Sequence, residues 1–174
     1  MKLRILVMAG LSAVLAACAS TPPETTTTQT PNEPPRTTRT TPPPVVDQGP
    51  VPGTEAHFVA TAGDRVFYDL DRSTLTAAGR ETLRRQADWL NAYPGVRILI
   101  AGNCDERGTR EYNLALGARR ANAARDYLVS LGVSPSRIDT VSYGRERPTC
   151  RESNERCWSL NRNATTMITG GATG

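Results

Sequence analysis

Beyond residue 57, apolar positions along the chain alternate between the spacing typical of strands and the spacing typical of helices. Four short apolar runs predict strands, over residues 65–69, 96–101, 138–143 and 164–169. The second run, Val96 to Ala101, is almost entirely apolar, which indicates a strand covered by helices on at least one face. These runs predict the strands of one sheet.

The segments between the strands predict helices. Thr76 is placed to cap the first helix, whose apolar residues repeat until Pro94-Gly95: Leu83, Ala87 and Leu90. The longest helix carries two adjacent apolar rows and ends at Gly132: Leu114, Ala121 and Leu128, with Gly117, Ala124 and Leu131 beside them. A short helix is predicted over 153–161. The order β-α-β-α-β-(α)-β predicts an α+β domain of two layers, with helices packed on one mixed sheet.

The first seventeen residues differ from the rest. Lys2 and Arg4 precede a run of about thirteen mostly apolar residues, which is typical of a secretory signal and shorter than the roughly 20 that a spanning helix needs. The string Leu15-Ala16-Ala17-Cys18 resembles the bacterial lipobox, in which the cysteine becomes the first mature residue and receives lipid. We expect cleavage before Cys18 and a lipid anchor on it; the alternative is an ordinary signal with a chance cysteine.

A Thr/Pro-rich segment follows the lipobox. From residue 21 to 50, about nineteen of thirty residues are Thr or Pro, without apolar periodicity. Such a segment cannot bury enough apolar surface to offset its ordering entropy, so residues 18–56 are predicted to form a lipidated, disordered tether. Residues 57–174 are then a single domain of ordinary size.

Charge argues against nucleic acid as a partner. The formal net charge is +4, and loss of Lys2 and Arg4 with the signal lowers it to about +2. No run of Lys and Arg with interleaved aromatic residues is present in the sequence.

The segment most informative about function runs from Gly102 to Ala121. Asp105 lies in a glycine-bounded loop after a strand, and the next helix carries Asn113 and Arg120 seven residues apart, on nearly the same side. The pattern therefore brings opposite charges to one rim, which suits a zwitterion with an ammonium for the carboxylate and a carboxylate for the guanidinium.

The chain resembles the family of peptidoglycan-associated lipoproteins, whose wall-binding module is the OmpA-like domain. The resemblance covers roughly residues 66–168 and is carried by Phe67-Tyr68-Asp69-Leu70-Asp71, Asp105-Glu106-Arg107-Gly108-Thr109, Tyr112-Asn113, Leu116-Gly117-Ala118-Arg119-Arg120-Ala121-Asn122-Ala123 and Val141-Ser142-Tyr143-Gly144. The lipobox and the tether complete the family's architecture.

The resemblance implies a module that binds the meso-diaminopimelate of the peptidoglycan stem peptide without catalysis. Asp105 would hold its ammonium and Arg120 its carboxylate, while Asn113, Arg162 and the turn from Asp69 to Asp71 would shape the pocket. The resemblance also implies protein partners. TolB would bind a face that overlaps the wall-binding site, and the other partners would be the remaining Tol-Pal proteins, which act during cell division. Ala19 follows Cys18 where an aspartate would favour the inner membrane, which implies the periplasmic face of the outer membrane.

Two positions depart from the family's usual pattern. Asn103 replaces a common histidine, and Asn163 replaces an arginine that often lines the same pocket, which implies weaker binding. Plainer roles are also open: Asp105 and Arg120 could form a structural ion pair or a solvated rim, and Asn113 could be a helix cap or a local hydrogen-bonding residue.

Three cysteines remain after Cys18. Cys150 and Cys157 flank a polar segment and are predicted to form a disulfide, the alternative being two free thiols. Cys104 is predicted to be a small buried filler.

An enzyme is the alternative from another class. A cysteine nucleophile normally needs a base, but the single histidine, His57, lies at the edge of the tether, and the adjacent Asp105 and Glu106 would point apart rather than flank one bond. The cysteines and His57 lack zinc-site spacing, so we expect no metal and no cofactor. A further alternative is an OmpA-like lipoprotein that anchors a different envelope machine.

Overall fold

The structure, a computed structural model, describes residues 49–173. Its elements are α1 (Glu55–Thr61), β1 (Arg65–Phe67), α2 (Ala77–Ala92), β2 (Arg97–Asn103), α3 (Arg110–Ser130), β3 (Ile138–Gly144), α4 (Glu155–Asn161) and β4 (Asn163–Gly170), with a short 3₁₀ turn at Pro135–Arg137. The predicted signal, the predicted lipidation site Cys18 and the predicted tether up to residue 48 lie outside the described residues.

The four strands form one mixed sheet in the order β1-β4-β2-β3. The β2 and β3 strands are parallel, whereas β4 runs antiparallel to both β1 and β2. Helices α2 and α3 pack against this sheet and against each other. The predicted α+β fold with helices on a mixed sheet is thereby confirmed.

Local signals in the sequence account for the helix boundaries. Thr76 caps α2 as predicted, since its Oγ1 accepts a hydrogen bond from the Gly79 amide at 3.0 Å. Thr109 caps α3 in the same way, through the Tyr112 amide at 3.2 Å. Gly132 follows α3 with a φ of +93°, a conformation that glycine adopts without steric cost.

Helix α1 was not predicted, because it is short and carries a single strongly buried side chain. Phe58 packs edge-on against Trp89 of α2, with ring centroids 5.0 Å apart. Trp89 also donates a hydrogen bond from Nε1 to Nδ1 of His57 at 2.9 Å. His57 is therefore part of the contact between α1 and α2.

The core lies between the sheet and the two long helices. Its apolar side chains come from every layer, and the fully buried ones include Leu83, Leu90, Ile98, Ile100 and Leu128. Small residues let α3 approach the sheet, and at Gly102 and Gly117 the backbones of β2 and α3 are so close that a Cβ on either residue would overlap the other's backbone. This contact fixes the height of α3 above the end of β2. Within residues 49–173 no helix is long and apolar enough to cross a membrane.

Candidate functional site

A cavity of about 320 Å³ opens where β2 ends and α3 begins. Its walls combine charged, amide and apolar side chains: Leu70, Asp71, Cys104, Asp105, Arg107, Gly108, Tyr112, Asn113, Leu116, Arg120 and Arg162. Five of the six residues predicted to bind peptidoglycan line this cavity, namely Asp71, Asp105, Asn113, Arg120 and Arg162. The sixth, Asp69, does not line it.

Arg120 is fully buried beneath the cavity. Its guanidinium donates to three backbone carbonyls: from Nε to Arg72 at 2.8 Å, from Nη1 to Asn103 at 2.8 Å and from Nη2 to Asp69 at 3.1 Å. Nη1 also lies 3.4 Å from the Cys104 sulfur. Among the described residues these bonds use four of the five N–H groups, which leaves one, on Nη2, for a ligand.

The surroundings of Arg120 explain how a buried cation is tolerated. Burial lowers the pKa of the Arg120 guanidinium, but the group stays charged, because arginine titrates far above neutral pH. Its Cζ lies 5.3 Å from the centre of the Tyr68 ring, and the Tyr68 hydroxyl donates to the Arg120 carbonyl at 2.8 Å. For the Tyr68 hydroxyl, burial instead raises the pKa, because it disfavours the charged phenolate, and the group stays neutral.

The Asp105 carboxylate is held by two arginines. Arg107 binds it with a fork, from Nη2 to Oδ2 at 2.7 Å and from Nε to Oδ1 at 3.2 Å, and the Arg107 amide adds a third bond to Oδ1 at 3.1 Å. Arg162 adds a fourth, from Nη1 to Oδ2 at 3.3 Å. Although burial by itself would raise the pKa of Asp105, the hydrogen bonds from Arg107 and Arg162 lower it below its usual value.

Asp105 and Arg120 therefore share the cavity without pairing with each other. Among the ion pairs of the described residues, Asp105 is joined to Arg107 and Arg162, and none joins it to Arg120. Asp105 thus forms structural ion pairs, but with Arg107 and Arg162 rather than with Arg120. Sequence reasoning missed Arg107 as a partner of Asp105, although its position two residues further along the loop was the available signal.

Asn113 connects the loop to α3. Its Nδ2 donates to the Arg107 carbonyl at 2.8 Å, and its backbone carbonyl accepts a weak hydrogen bond from the Cys104 thiol at 3.4 Å. The side chain is buried and also lines the cavity. Asn113 therefore fixes the loop that carries Arg107 to the start of α3, and it also faces the cavity.

The turn from Asp69 to Asp71 covers Arg120. The Asp69 carbonyl accepts from Arg120, while the Asp69 side chain is exposed and lines a separate shallow cavity beside Phe67. Asp71 has a φ of +56°, which is uncommon for a residue other than glycine, and its carboxylate accepts a hydrogen bond from the Tyr112 hydroxyl. Asp71 thus faces the cavity with its side chain, and Asp69 contributes its backbone.

The two departures from the family's pattern, Asn103 and Asn163, lie side by side. Asn103 donates from Nδ2 to Oδ1 of Asn163 at 2.9 Å, and Asn163 donates to the Leu160 carbonyl at 2.7 Å. Asn163 is buried in β4 and is not among the residues that line the cavity. The structure therefore does not bring this position to the site.

Helix α4 forms an outer support for the site, which the sequence pattern did not reveal. Glu155 accepts from Arg162 at 2.6 Å, and Trp158 donates from Nε1 to Oε1 of Glu106 at 2.9 Å. The Arg107 guanidinium stacks on the Trp158 ring, with Cζ 4.2 Å from its centre. The helix thus contacts both arginines that hold Asp105.

The structure places the cysteines as follows. Cys150 and Cys157 are joined in a disulfide, with their Cα atoms 5.0 Å apart. Cys104 is a buried free thiol at the edge of the cavity, and burial raises its pKa. A neutral thiol in that position is an unreactive filler rather than a nucleophile. Across residues 49–173 no group of three or more His, Cys, Asp or Glu side chains is arranged to hold a metal ion.

A model of the OmpA family matches residues 67–162, a span that begins at the last residue of β1 and includes every residue that lines the cavity. The chain belongs to the OmpA family. Proteins similar to this chain include a peptidoglycan-associated lipoprotein of Mesorhizobium japonicum, 55% identical over 119 residues, which are 68% of this chain and 71% of that protein. Another is a peptidoglycan-associated lipoprotein of Agrobacterium fabrum, 51% identical, covering 68% of this chain and 67% of that protein.

Solved structures agree with this membership of the OmpA family. The peptidoglycan-associated lipoprotein from Burkholderia pseudomallei is 40% identical with a TM-score of 0.60, covering 61% of this chain and 90% of that one. The C-terminal domain of Helicobacter pylori MotB has a TM-score of 0.58 at 19% identity, covering 62% and 84%, and supports the fold alone. The resemblance to peptidoglycan-associated lipoproteins that the motifs indicated is thereby confirmed.

Proposed function

We propose that this protein binds peptidoglycan non-covalently, through the free end of meso-diaminopimelate in the stem peptide. Its relatives of more than 50% identity are named peptidoglycan-associated lipoproteins. The observation that carries the proposal is that one cavity of about 320 Å³ is lined by both Asp105 and Arg120, and also by Asn113 of α3. The free end of meso-diaminopimelate presents one ammonium and one carboxylate, which matches these charges.

The ammonium has to compete for Asp105. Four hydrogen bonds already reach the two carboxylate oxygens, which is about as many as they can accept. The ammonium therefore replaces part of the Arg107 fork, because Arg107 is the more exposed of the two arginines and Arg162 is buried. Such an exchange of one cation for another leaves the charge of Asp105 neutralised throughout.

The carboxylate of the ligand is bound at Arg120. With four N–H groups engaged, Arg120 offers a single bond from Nη2 rather than the two parallel bonds of an open guanidinium fork. In exchange, Arg120 is held rigidly by the Asp69, Arg72 and Asn103 carbonyls, so that little side-chain entropy is lost on binding.

A lipid on Cys18 would hold the protein in the outer membrane, on its periplasmic face, and the tether would join that anchor to the wall-binding domain. In this arrangement the protein links outer membrane to cell wall as part of the Tol-Pal system, with TolB as a partner on an overlapping face. This role requires no catalysis.

The test is sedimentation of the purified full chain with isolated sacculi. Asp105→Ala and Arg120→Ala are expected to abolish co-sedimentation, whereas Asp88→Ala and Arg84→Ala, which alter exposed residues of α2 away from the cavity, should retain it. Retention by both cavity variants would overturn the site assignment. Release of soluble wall fragments would instead indicate an enzyme.

A second comparison isolates the carboxylate. Sacculi whose stem peptides carry lysine present the same ammonium without the neighbouring carboxylate, so binding to them should be much weaker than to sacculi with meso-diaminopimelate. Free meso-diaminopimelate should compete with the wall, while Nα-acetyl-lysine amide, which keeps the side-chain ammonium and has no carboxylate, should compete poorly. Equal binding to both kinds of sacculi would contradict the assigned role of Arg120.

A further inference from the structure

Helix α4 is too short to be stable by itself. It spans seven residues, about two turns, and isolated helices of that length are unstable in water. Three features hold it: the Asn154 side chain caps it through the Cys157 amide at 3.0 Å, Cys157 is buried, and the disulfide ties it to Cys150. Asn161 adds bonds to the amides of Thr149 and Cys150 at 2.9 and 3.0 Å.

The same helix carries two side chains that control the site. Glu155 binds Arg162 at 2.6 Å and lies 3.8 Å from Nη1 of Arg107. Trp158 stacks on Arg107, and its hydrogen bond to Glu106 lowers the pKa of that carboxyl. Both arginines that hold Asp105 are therefore positioned by α4, and any movement of α4 changes their geometry.

We propose that the Cys150–Cys157 disulfide is a positioning device for the cavity, so that affinity for the wall depends on its thiol–disulfide state. The proposal rests on the proposed function, since it concerns the same site. The disulfide acts through Glu155 and Trp158, which lose their fixed positions when α4 is released. Arg107 and Arg162 then become mobile, and the ordering of the cavity has to be restored at each binding event.

The chemistry is a two-electron exchange with a dithiol. A thiolate of the dithiol attacks one sulfur of the protein disulfide, the Sγ–Sγ bond breaks, and a mixed disulfide forms. The second thiol of the reagent then displaces the remaining protein sulfur. The protein gains two thiols, and the dithiol is oxidised to its own disulfide. Cys150 is only half-buried, which leaves the bond open to attack, whereas Cys157 is buried.

The experiment measures binding of the full chain to sacculi before and after treatment with dithiothreitol. Oxidised protein is expected to bind, and reduced protein to bind about tenfold more weakly. Cys150→Ser/Cys157→Ser should bind as weakly as the reduced protein and should not respond to the dithiol. Hydrogen exchange over residues 155–161 should become faster on reduction, while exchange over β2 should be unchanged.

A variant in α4 separates positioning from general stability. In Glu155→Ala/Trp158→Ala the disulfide still forms, but the proposed route to the arginines is removed, so dithiothreitol should no longer change the affinity. The unfolding midpoint of this variant should still fall on reduction. A purely structural disulfide would shift the midpoint of every disulfide-containing variant and leave the affinity of folded protein unaltered.

The outcomes are distinguishable from failure of the proposed function. If oxidised protein does not bind sacculi at all, the proposed function fails. If oxidised and reduced protein bind equally, the positioning role is overturned and the wall-binding function stands. If Glu155→Ala/Trp158→Ala responds to the dithiol as strongly as the unmodified chain, the proposed route through α4 is overturned.

Discussion

Asn103 donates a hydrogen bond to Asn163 at 2.9 Å, although the two residues are sixty positions apart in the chain. They lie at the paired ends of β2 and β4, where Gly102 is opposite Ala164. Each stands where the resemblance to the family implies another residue, a histidine at position 103 and an arginine at position 163. The contact pairs the Asn103 Nδ2 group with the Asn163 Oδ1 atom in a buried place where an unpaired polar group would be costly.

The first prediction is that these two residues are energetically coupled. Asn103→Ala or Asn163→Ala alone should lower the free energy of unfolding by about 1 to 2 kcal/mol, because each removes the buried hydrogen bond between them, although Asn103 keeps its bond to the Ala101 carbonyl and Asn163 keeps its bond from Thr165. The double variant should lose less than the sum by about 1 kcal/mol. Urea unfolding of the four proteins measures this difference, and strictly additive losses would contradict the coupling.

The second prediction concerns Arg120. Arg120→Lys should lower the free energy of unfolding by about 3 kcal/mol, since an ammonium cannot reach the carbonyls of Asp69, Arg72 and Asn103 together and leaves buried acceptors unpaired. Arg119→Lys, at an exposed neighbouring position, is the matched control and should change stability by less than about 0.5 kcal/mol. An unchanged Arg120→Lys would show that the carbonyls do not need the fork.

The third prediction is a pH dependence from Asp105. Its folded-state pKa is lowered, so the ionised carboxylate stabilises the fold at pH above its unfolded pKa of about 3.9, and this contribution disappears as the pH falls through the folded value. The difference in unfolding free energy between the unmodified chain and Asp105→Asn should therefore have its largest value above about pH 5 and become smaller below about pH 4. Urea unfolding at several pH values measures it, and a difference independent of pH would contradict the assignment.

The fourth prediction concerns the contact between α3 and β2. Gly102→Ala or Gly117→Ala should each destabilise the domain by about 3 kcal/mol or more, since the added methyl group overlaps backbone that cannot move without lifting α3. Gly170→Ala is the control, because a methyl group there meets nothing within 4 Å. Thermal unfolding of the three variants tests this, and equal midpoints would show that α3 can shift freely.

The fifth prediction is the cysteine pairing. Alkylation of the folded, unreduced chain followed by peptide mapping should show Cys150 joined to Cys157. Cys104 should react only after unfolding, because it is 3% exposed and its pKa is raised by burial. Rapid labelling of Cys104 in folded protein would contradict its place beneath the cavity.

Much of the fold could be predicted because its signals are local. Thr76 and Gly132 mark the ends of helices by their own local chemistry, and all but the first residue of the apolar run 96–101 lie in β2. Helix α1 could not be predicted, since its stability comes from Phe58 packing on Trp89, thirty-one residues away in sequence.

The sequence predicted which residues line the site better than it predicted which of their side chains contact each other. The motif placed Asp105 and Arg120 on one rim because strand, loop and helix follow one another, and both line one cavity. Which cation is nearest to Asp105 depends instead on side-chain reach and on the packing of Trp158, which sequence spacing does not contain. Sequence spacing also did not reveal that Asn163, in β4, contacts Asn103 and does not line the cavity.

Strand β1 joins the two ends of the domain. Helix α1 comes before this strand and packs on Trp89, whereas the turn from Asp69 to Asp71, which covers Arg120, comes soon after it. A pull between the chain entering at α1 and a ligand in the cavity would therefore load the ladder that β1 forms with β4. We expect the hydrogen bonds of that ladder to bear such a load together when it is directed along the strand, so that the domain resists the pull.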